Sequence, residues 1–102
     1  MVFNIIVKPI VFLDIDEAID YYEKKLKGLG YRFYQSVLHS LDEIQSAPFS
    51  FSYIKKPIRR HLIKNYPYRI YYIISKEQII IIGVSHAKRS NAFVKRRLNV
   101  IK

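Results

Sequence analysis

The sequence predicts a small α+β domain: an N-terminal strand, an antiparallel helical hairpin and an antiparallel β-meander with a short C-terminal helix. Three observations carry this. Apolar residues between Asp14 and Pro48 recur at helical spacing. Two runs rich in β-branched and aromatic residues follow, Tyr68 to Ser75 and Gln78 to Ser85. The connections between these segments are short, which makes their neighbours antiparallel.

Asn4 to Lys8 (NIIVK) reads as a strand closed by Pro9. Ile15, Ile19, Tyr22, Leu26 and Leu29 then recur at steps of four and three, one face of a helix. Asp14 with Glu17 three residues on resembles a capping box. Lys24, Lys25 and Lys27 suit the negative end of the helix dipole, and Gly28 and Gly30 permit the left-handed turn that ends the helix. Phe33, Val37, Leu41 and Ile44 form a second apolar stripe, stopped by Pro48, with His39 off the stripe and facing solvent. Phe49 to Tyr53 reads as an extended linker. Ile58 to Lys64 is a strand and Asn65-Tyr66-Pro67 a turn. Tyr68 to Ser75 is apolar on both faces after Arg69, so it is expected at the centre of the sheet. Lys76-Glu77 is a tight turn into the strand Gln78 to Ser85. Ser90 or Asn91 caps a last helix with Val94, Leu98 and Ile101 inward and Lys95, Arg96 and Arg97 outward. No repeat, linker or low-complexity tract divides the chain, so residues 1–102 form one domain.

Composition bounds the function. The chain has 102 residues, 50% of them hydrophobic and 15% aromatic, enough for a core of its own. It has no cysteine, which excludes disulfides, zinc–thiolate sites and thiol catalysis. Its longest apolar run, around Ile79 to Ile82, falls far short of the ~20 residues of a membrane span. Met1-Val2-Phe3-Asn4 shows no secretory leader, so a cytoplasmic protein is expected. Neither helix carries paired carboxylates or His and Glu at metal-ligand spacing, and no metal or cofactor is expected. The net charge of +10 is unevenly placed: residues 1–54 sum to −2 and residues 55–102 to +12. Such asymmetry points to an anionic partner.

Four local features together resemble the RelE/ParE toxin superfamily of bacterial toxin–antitoxin modules, closest to the ParE-like, plasmid-stabilisation branch. They are the helical hairpin with Tyr21-Tyr22-Glu23 and the joint Gly28 to Phe33; Pro48 after the second helix; Ile58-Arg59-Arg60-His61 followed by Tyr66 to Tyr72; and Ile82 to Arg89 followed by Phe93 to Leu98. The resemblance covers nearly the whole chain. It implies a cytoplasmic growth inhibitor silenced by a cognate antitoxin, acidic and partly disordered, with which it forms a hetero-oligomer. ParE-like relatives block DNA gyrase without catalysis. RelE-like relatives cut messenger RNA on the ribosome without metal. A third outcome is a binding domain that has lost toxicity.

A metal-independent ribonuclease must activate a 2′-hydroxyl, steady a phosphate and protonate a leaving oxygen. Arg69, His86 and Arg89 are the candidates, with Arg69 as phosphate clamp and His86 as acid or base. They are expected to converge on a basic open face of the sheet, with Arg60 or His61 nearby. Arg60, His61, Arg69, His86, Lys88, Arg89 and Phe93 are the candidate target- or nucleic-acid-binding residues. Each also has a structural reading: Arg69 lying along Tyr71, His86 bonding a turn carbonyl. Lys55 and Lys56 read as solvated loop lysines, and Tyr21 and Tyr22 as packing residues. RNA-cleaving relatives often place a tyrosine in the C-terminal segment. Here that segment offers Phe93, which stacks but cannot donate a proton, and no tyrosine follows Tyr72. That favours the ParE-like reading.

Overall fold

The computed structural model describes residues 2–101, and the side chains of residues 2–100. Its elements run β1 (Asn4–Val7), α1 (Pro9–Lys25), α2 (Leu29–Ser46), β2 (Tyr53–Lys55), β3 (Ile58–Leu62), β4 (Tyr68–Ser75), β5 (Gln78–His86) and α3 (Asn91–Ile101). They build the expected α+β architecture around one five-stranded sheet of order β1-β5-β4-β3-β2. β2 to β5 form the antiparallel meander, with β4 at its centre. β1 closes the far edge, parallel to β5, with Val7 opposite Ile81 as the last pair.

Several boundaries differ from the sequence reading. Helix α1 begins at Pro9, not at Asp14, because proline at the first helical position gives up an N–H that has no partner there anyway. Leu26 does not extend the stripe: it is the exposed residue at which α1 ends, and Leu29 opens α2. Gly28 turns the chain with φ of 89°, as expected. Gly30 has another role. It lies inside α2, where an added Cβ would sit 2.8 Å from the Ile19 carbonyl and 2.9 Å from the Glu23 carboxylate. The missing side chain lets the two helices touch, and Glu23 uses that contact to cap α2. Its carboxylate accepts the backbone N–H groups of Gly28 and Gly30 at 3.0 Å each, donors that the helix itself leaves unpaired. We expect Gly30→Ala to lower stability by about 1–2 kcal/mol, because overpacking outweighs the gain in helix propensity. Calorimetry should show a melting temperature lower by on the order of 5–10 °C.

Phe49 to Tyr53 is more than a linker. Tyr53–Lys55 adds a short edge strand to β3, so Lys55 belongs to the sheet. The segment before it is tied down from both sides. Arg59 donates to the carbonyls of Phe49 and Phe51 at 3.2 and 2.6 Å and to the Tyr53 hydroxyl at 3.0 Å. Tyr72 donates its buried hydroxyl to the Pro48 carbonyl at 2.7 Å, and burial pushes that phenol up to about 12.

The hairpin covers one sheet face. Val11, Ile15, Tyr22, Phe33, Val37 and Ile44 pack on Ile70, Tyr72, Ile79, Ile81 and Val84. At roughly 1.5–3 kcal/mol for each fully buried apolar side chain, this layer is the main stabilising term. The other face is not left open. Phe93 and Val94 of α3 close it over Ile58, Tyr71 and Ile82. Ser90 caps α3 by accepting the Ala92 N–H at 3.1 Å. Val94 is buried and Leu98 partly so, as expected, whereas Arg97 turns inward, against expectation. The expected inward placement of Ile101 lies outside the described side chains.

Candidate binding surface at the end of the sheet

One ion pair organises this end of the molecule. β1 stops opposite Ile81, and a bulge in β5 sets Tyr71 opposite Gly83 and Tyr72 opposite Ile81. Backbone groups beyond that point have no β1 partner and need another. Asp14 and Arg97 supply it. Asp14 accepts the Val84 N–H at 3.1 Å, and Arg97 donates to the Ile82 carbonyl at 3.0 Å. The two side chains also meet each other fork to fork at 2.7 and 3.0 Å. Both are largely buried, 12% and 10% exposed. Residues from α1, β5 and α3 are thus locked together at one point.

Phe93 belongs to the same cluster. Its ring is 6% exposed and packs over Gly83, where an added Cβ would come within 3.2 Å of it. The guanidinium carbons of Arg89 and Arg97 lie 4.1 and 4.7 Å from the ring centroid. A ring so placed supports α3 and offers no free face to a base.

The expected cluster of Arg69, His86 and Arg89 divides. Ile70 lies in the core beneath the hairpin, so Arg69 points to the opposite, α3-side face, opposite Ser85 and Leu62. Arg60, paired with Tyr71, shares that face. His86 pairs with Tyr68, whose ring packs against Tyr22 and Phe33 on the hairpin side. His86 and Arg89 come together there in a hollow of about 230 Å³, with Asp14, Glu17, Tyr21 and Tyr68 on its walls. Its surroundings are mixed in charge. Burial first, then Tyr21 and Glu17, push the Tyr68 phenol up. His86 Nδ1 accepts the Lys88 N–H at 3.1 Å, and its carbonyl accepts the Arg89 N–H at 3.0 Å, which shapes the turn leading to α3. Lys88 and Arg89 are exposed. On the α3 side Lys55 and Lys95 approach each other, and the Lys55 ammonium lowers the Lys95 pKa.

His61 is not on the basic face with Arg60. It is 5% exposed beneath the hairpin, 3.4 Å from the Glu43 carboxylate and edge-on to Phe51 at 4.5 Å. Its Nδ1 is buried with no hydrogen-bond partner among the described residues. Burial pulls its pKa down, and Glu43 opposes this more weakly. The folded pKa therefore lies below the unfolded value of roughly 6.5, and the unfolded chain binds more protons between the two. Stability is full above roughly pH 6.5 and falls as pH drops through that window. The melting temperature should fall more for the native chain than for His61→Phe between about pH 7.5 and about pH 5.5. Parallel fluorescence melts would show it, and equal losses would contradict it.

The sequence offers Asp14 only as a helix cap, Arg97 only as outward and Glu23 only within a motif; the contacts they make are found in the structure alone. Spacing held the signal for the first two. Asp14 stands three residues after Val11 and four before Ala18, on the buried side of α1, and Arg97 stands four after Phe93.

Among the described residues no helix is long and apolar enough to cross a membrane, and no three His, Asp or Glu side chains are grouped to share a metal ion. No family model matches the chain, and no curated protein matches it by sequence. Solved structures do. The chromosomal ParDE toxin–antitoxin system from P. aeruginosa contains a chain that superposes with a TM-score of 0.74 at 11% identity, over 83% of this chain and 96% of that one. A free-state arginine-to-alanine mutant of E. coli toxin RelE gives 0.65 at 16% identity, over 94% and 98%. The isolated E. coli RelE toxin gives 0.60 at 14%, over 96% and 98%. The chain has the fold of the RelE/ParE toxins.

Proposed function

We propose that this chain is the toxin of a toxin–antitoxin pair and acts in the ParE manner, arresting growth by binding DNA gyrase, with no chemistry of its own. One observation carries the choice between binding and cleavage. The sheet lies between Arg69 and His86, so the phosphate clamp and the acid–base group of the postulated nuclease do not face one substrate. Phe93, in the segment where RNA-cleaving relatives often place a tyrosine, has no proton to donate and is buried. Similarity of fold to the ParDE chain supports the same reading. Residues 1–102 act as one cytoplasmic domain.

The cognate antitoxin follows from the charge map. Asp16, Glu17, Asp20 and Glu23 lie on α1, whereas Arg60, Arg69, Lys88, Arg89, Lys95 and Arg96 lie around α3 and the sheet end. An acidic, partly disordered segment is repelled by the first region and attracted by the second, where it would order on binding.

The test is inducible expression without antitoxin, with plasmid supercoiling and messenger RNA 5′ ends read in parallel. Growth arrest with altered supercoiling and intact transcripts is the expected result. New 5′ ends at ribosome-bound codons with normal supercoiling would replace it with the RelE-like reading. Normal growth at confirmed soluble expression would leave a non-toxic binding domain.

A further inference from the structure

A second polar groove lies away from the sheet end, between α2 and the β3–β4 turn. Arg32, Gln35, Ser36 and His39 are spaced three, four and seven residues from the first, so they share one face of α2. Lys64, Asn65 and Tyr66 face them across a hollow of about 430 Å³. Asn65 adopts a left-handed φ of 72°, a conformation Asn tolerates, and the Tyr66 N–H bonds the Ile63 carbonyl at 3.2 Å to close the turn. This turn carries Lys64 to the helix.

The chemistry of the lining is one-sided. It contains a guanidinium, an ammonium, an imidazole, two carboxamides and two hydroxyls, with no carboxylate. Among the described residues Arg32 and Lys64 make no ion pair. His39 alone has an acidic neighbour, Glu43 at 3.7 Å, which is outside the lining. The other acidic residues of the first half lie on α1 or, with Asp42, near the end of α2. Two permanent charges held without counter-ions among neutral donors form a receptor for an oxyanion. The volume is that of small-molecule sites, about 300–1,000 Å³, so it suits a nucleotide unit more than a lone ion.

We infer that this groove binds the phosphodiester backbone of a nucleic acid, Arg32 and Lys64 holding phosphate and Gln35, Ser36 and Asn65 donating to phosphate and sugar oxygens. The inference does not depend on gyrase or the ribosome being the target. Both DNA and RNA offer this chemistry, and the experiment separates them.

Fluorescence anisotropy with the full chain would use a duplex DNA and a single-stranded RNA of roughly 20 units, titrated across salt concentrations. Arg32→Ala with Lys64→Ala should weaken binding of at least one probe on the order of tenfold at about 0.1 M salt. It should also reduce the log–log salt slope by about two, one unit per lost phosphate contact. Gln35→Ala with Ser36→Ala should weaken binding severalfold while leaving that slope unchanged, which diffuse charge cannot do. Lys24→Ala with Lys25→Ala removes the same charge elsewhere and should have the smaller effect. The probe most affected identifies the strand type. All these residues are exposed except the half-buried Ser36, so the variants should keep the native circular dichroism. The inference is overturned if neither probe binds, if the Lys24/Lys25 variant loses as much as the Arg32/Lys64 variant, or if the Gln35/Ser36 variant binds like the native chain.

Discussion

Asp14→Ala should destabilise the protein by about 3 kcal/mol, the largest loss expected from any single polar substitution here. The low end of the ~3–5 kcal/mol range for breaking a buried pair applies, because both side chains retain slight exposure. Removing the carboxylate leaves the Arg97 guanidinium buried beside Phe93 with only the Ile82 carbonyl, and leaves the Val84 N–H without its acceptor. Arg97→Ala should cost a similar amount through the reverse loss. The two losses should not add. With both charges gone, an Asp14→Leu, Arg97→Met double variant should recover much of the stability, since no charge is then left buried without a partner. Urea unfolding of the two single variants and the double variant tests this. Additive losses would mean that the pair is not coupled, and that α3 is held by Phe93 and Val94 alone.

That ion pair also shows what a sequence of this kind does and does not reveal. The hairpin and the three long strands were legible because their information is local: stripes at steps of three and four, runs of Ile and Tyr, tight turns at Lys76 and Asn65. β2 was not, because three residues carry no period, and its place depends on Arg59 and Tyr72 reaching back to the carbonyls before it. Asp14 and Arg97 are 83 residues apart and answer a need created by a third element, the bulge in β5. Charge on a helix reads as solvent-facing until something places a backbone vacancy beneath it. The same holds for the candidate site. Arg69 and His86 each lie at the strand positions expected, but which face a strand end presents depends on register, and the residue-by-residue alternation puts Arg69 and Tyr68 on opposite sides. Alternation along β3 separates Arg60 from His61 but does not say which of them faces the hairpin; the contacts with Phe51 and Glu43 settle that it is His61 and bury it.

Arg69→Ala or Arg89→Ala should abolish growth arrest in cells expressing the chain without antitoxin, and should change stability by only ~0.5–1 kcal/mol. The stability side follows from position. Arg89 is exposed and contributes a stacking contact on Phe93, worth about 0.5–1 kcal/mol, while Arg69 stands on the strand face beside α3 outside the buried clusters. On the proposed function, their charge would serve a partner more than the core. Arg89 stands at the sheet end, bordering both the His86 hollow and Phe93, and Arg69 stands on the α3 face, so a binding surface that wraps the sheet end would use both. His86→Ala separates binding from cleavage. If the target is held by binding alone, no proton moves at His86 and toxicity should persist, with any loss traceable to the Lys88 turn that its Nδ1 supports. If the chain cleaves RNA, removing a positioned acid or base should slow cleavage on the order of a hundredfold or more. Toxicity, melting temperature and transcript integrity measured for the three variants decide the matter. Full toxicity in Arg69→Ala and Arg89→Ala with unchanged melting would move the functional surface elsewhere on the molecule. Unfolding of either variant would instead make that arginine part of the scaffold. Arrest that survives His86→Ala but not the two arginine changes is the pattern that binding to a large anionic target produces.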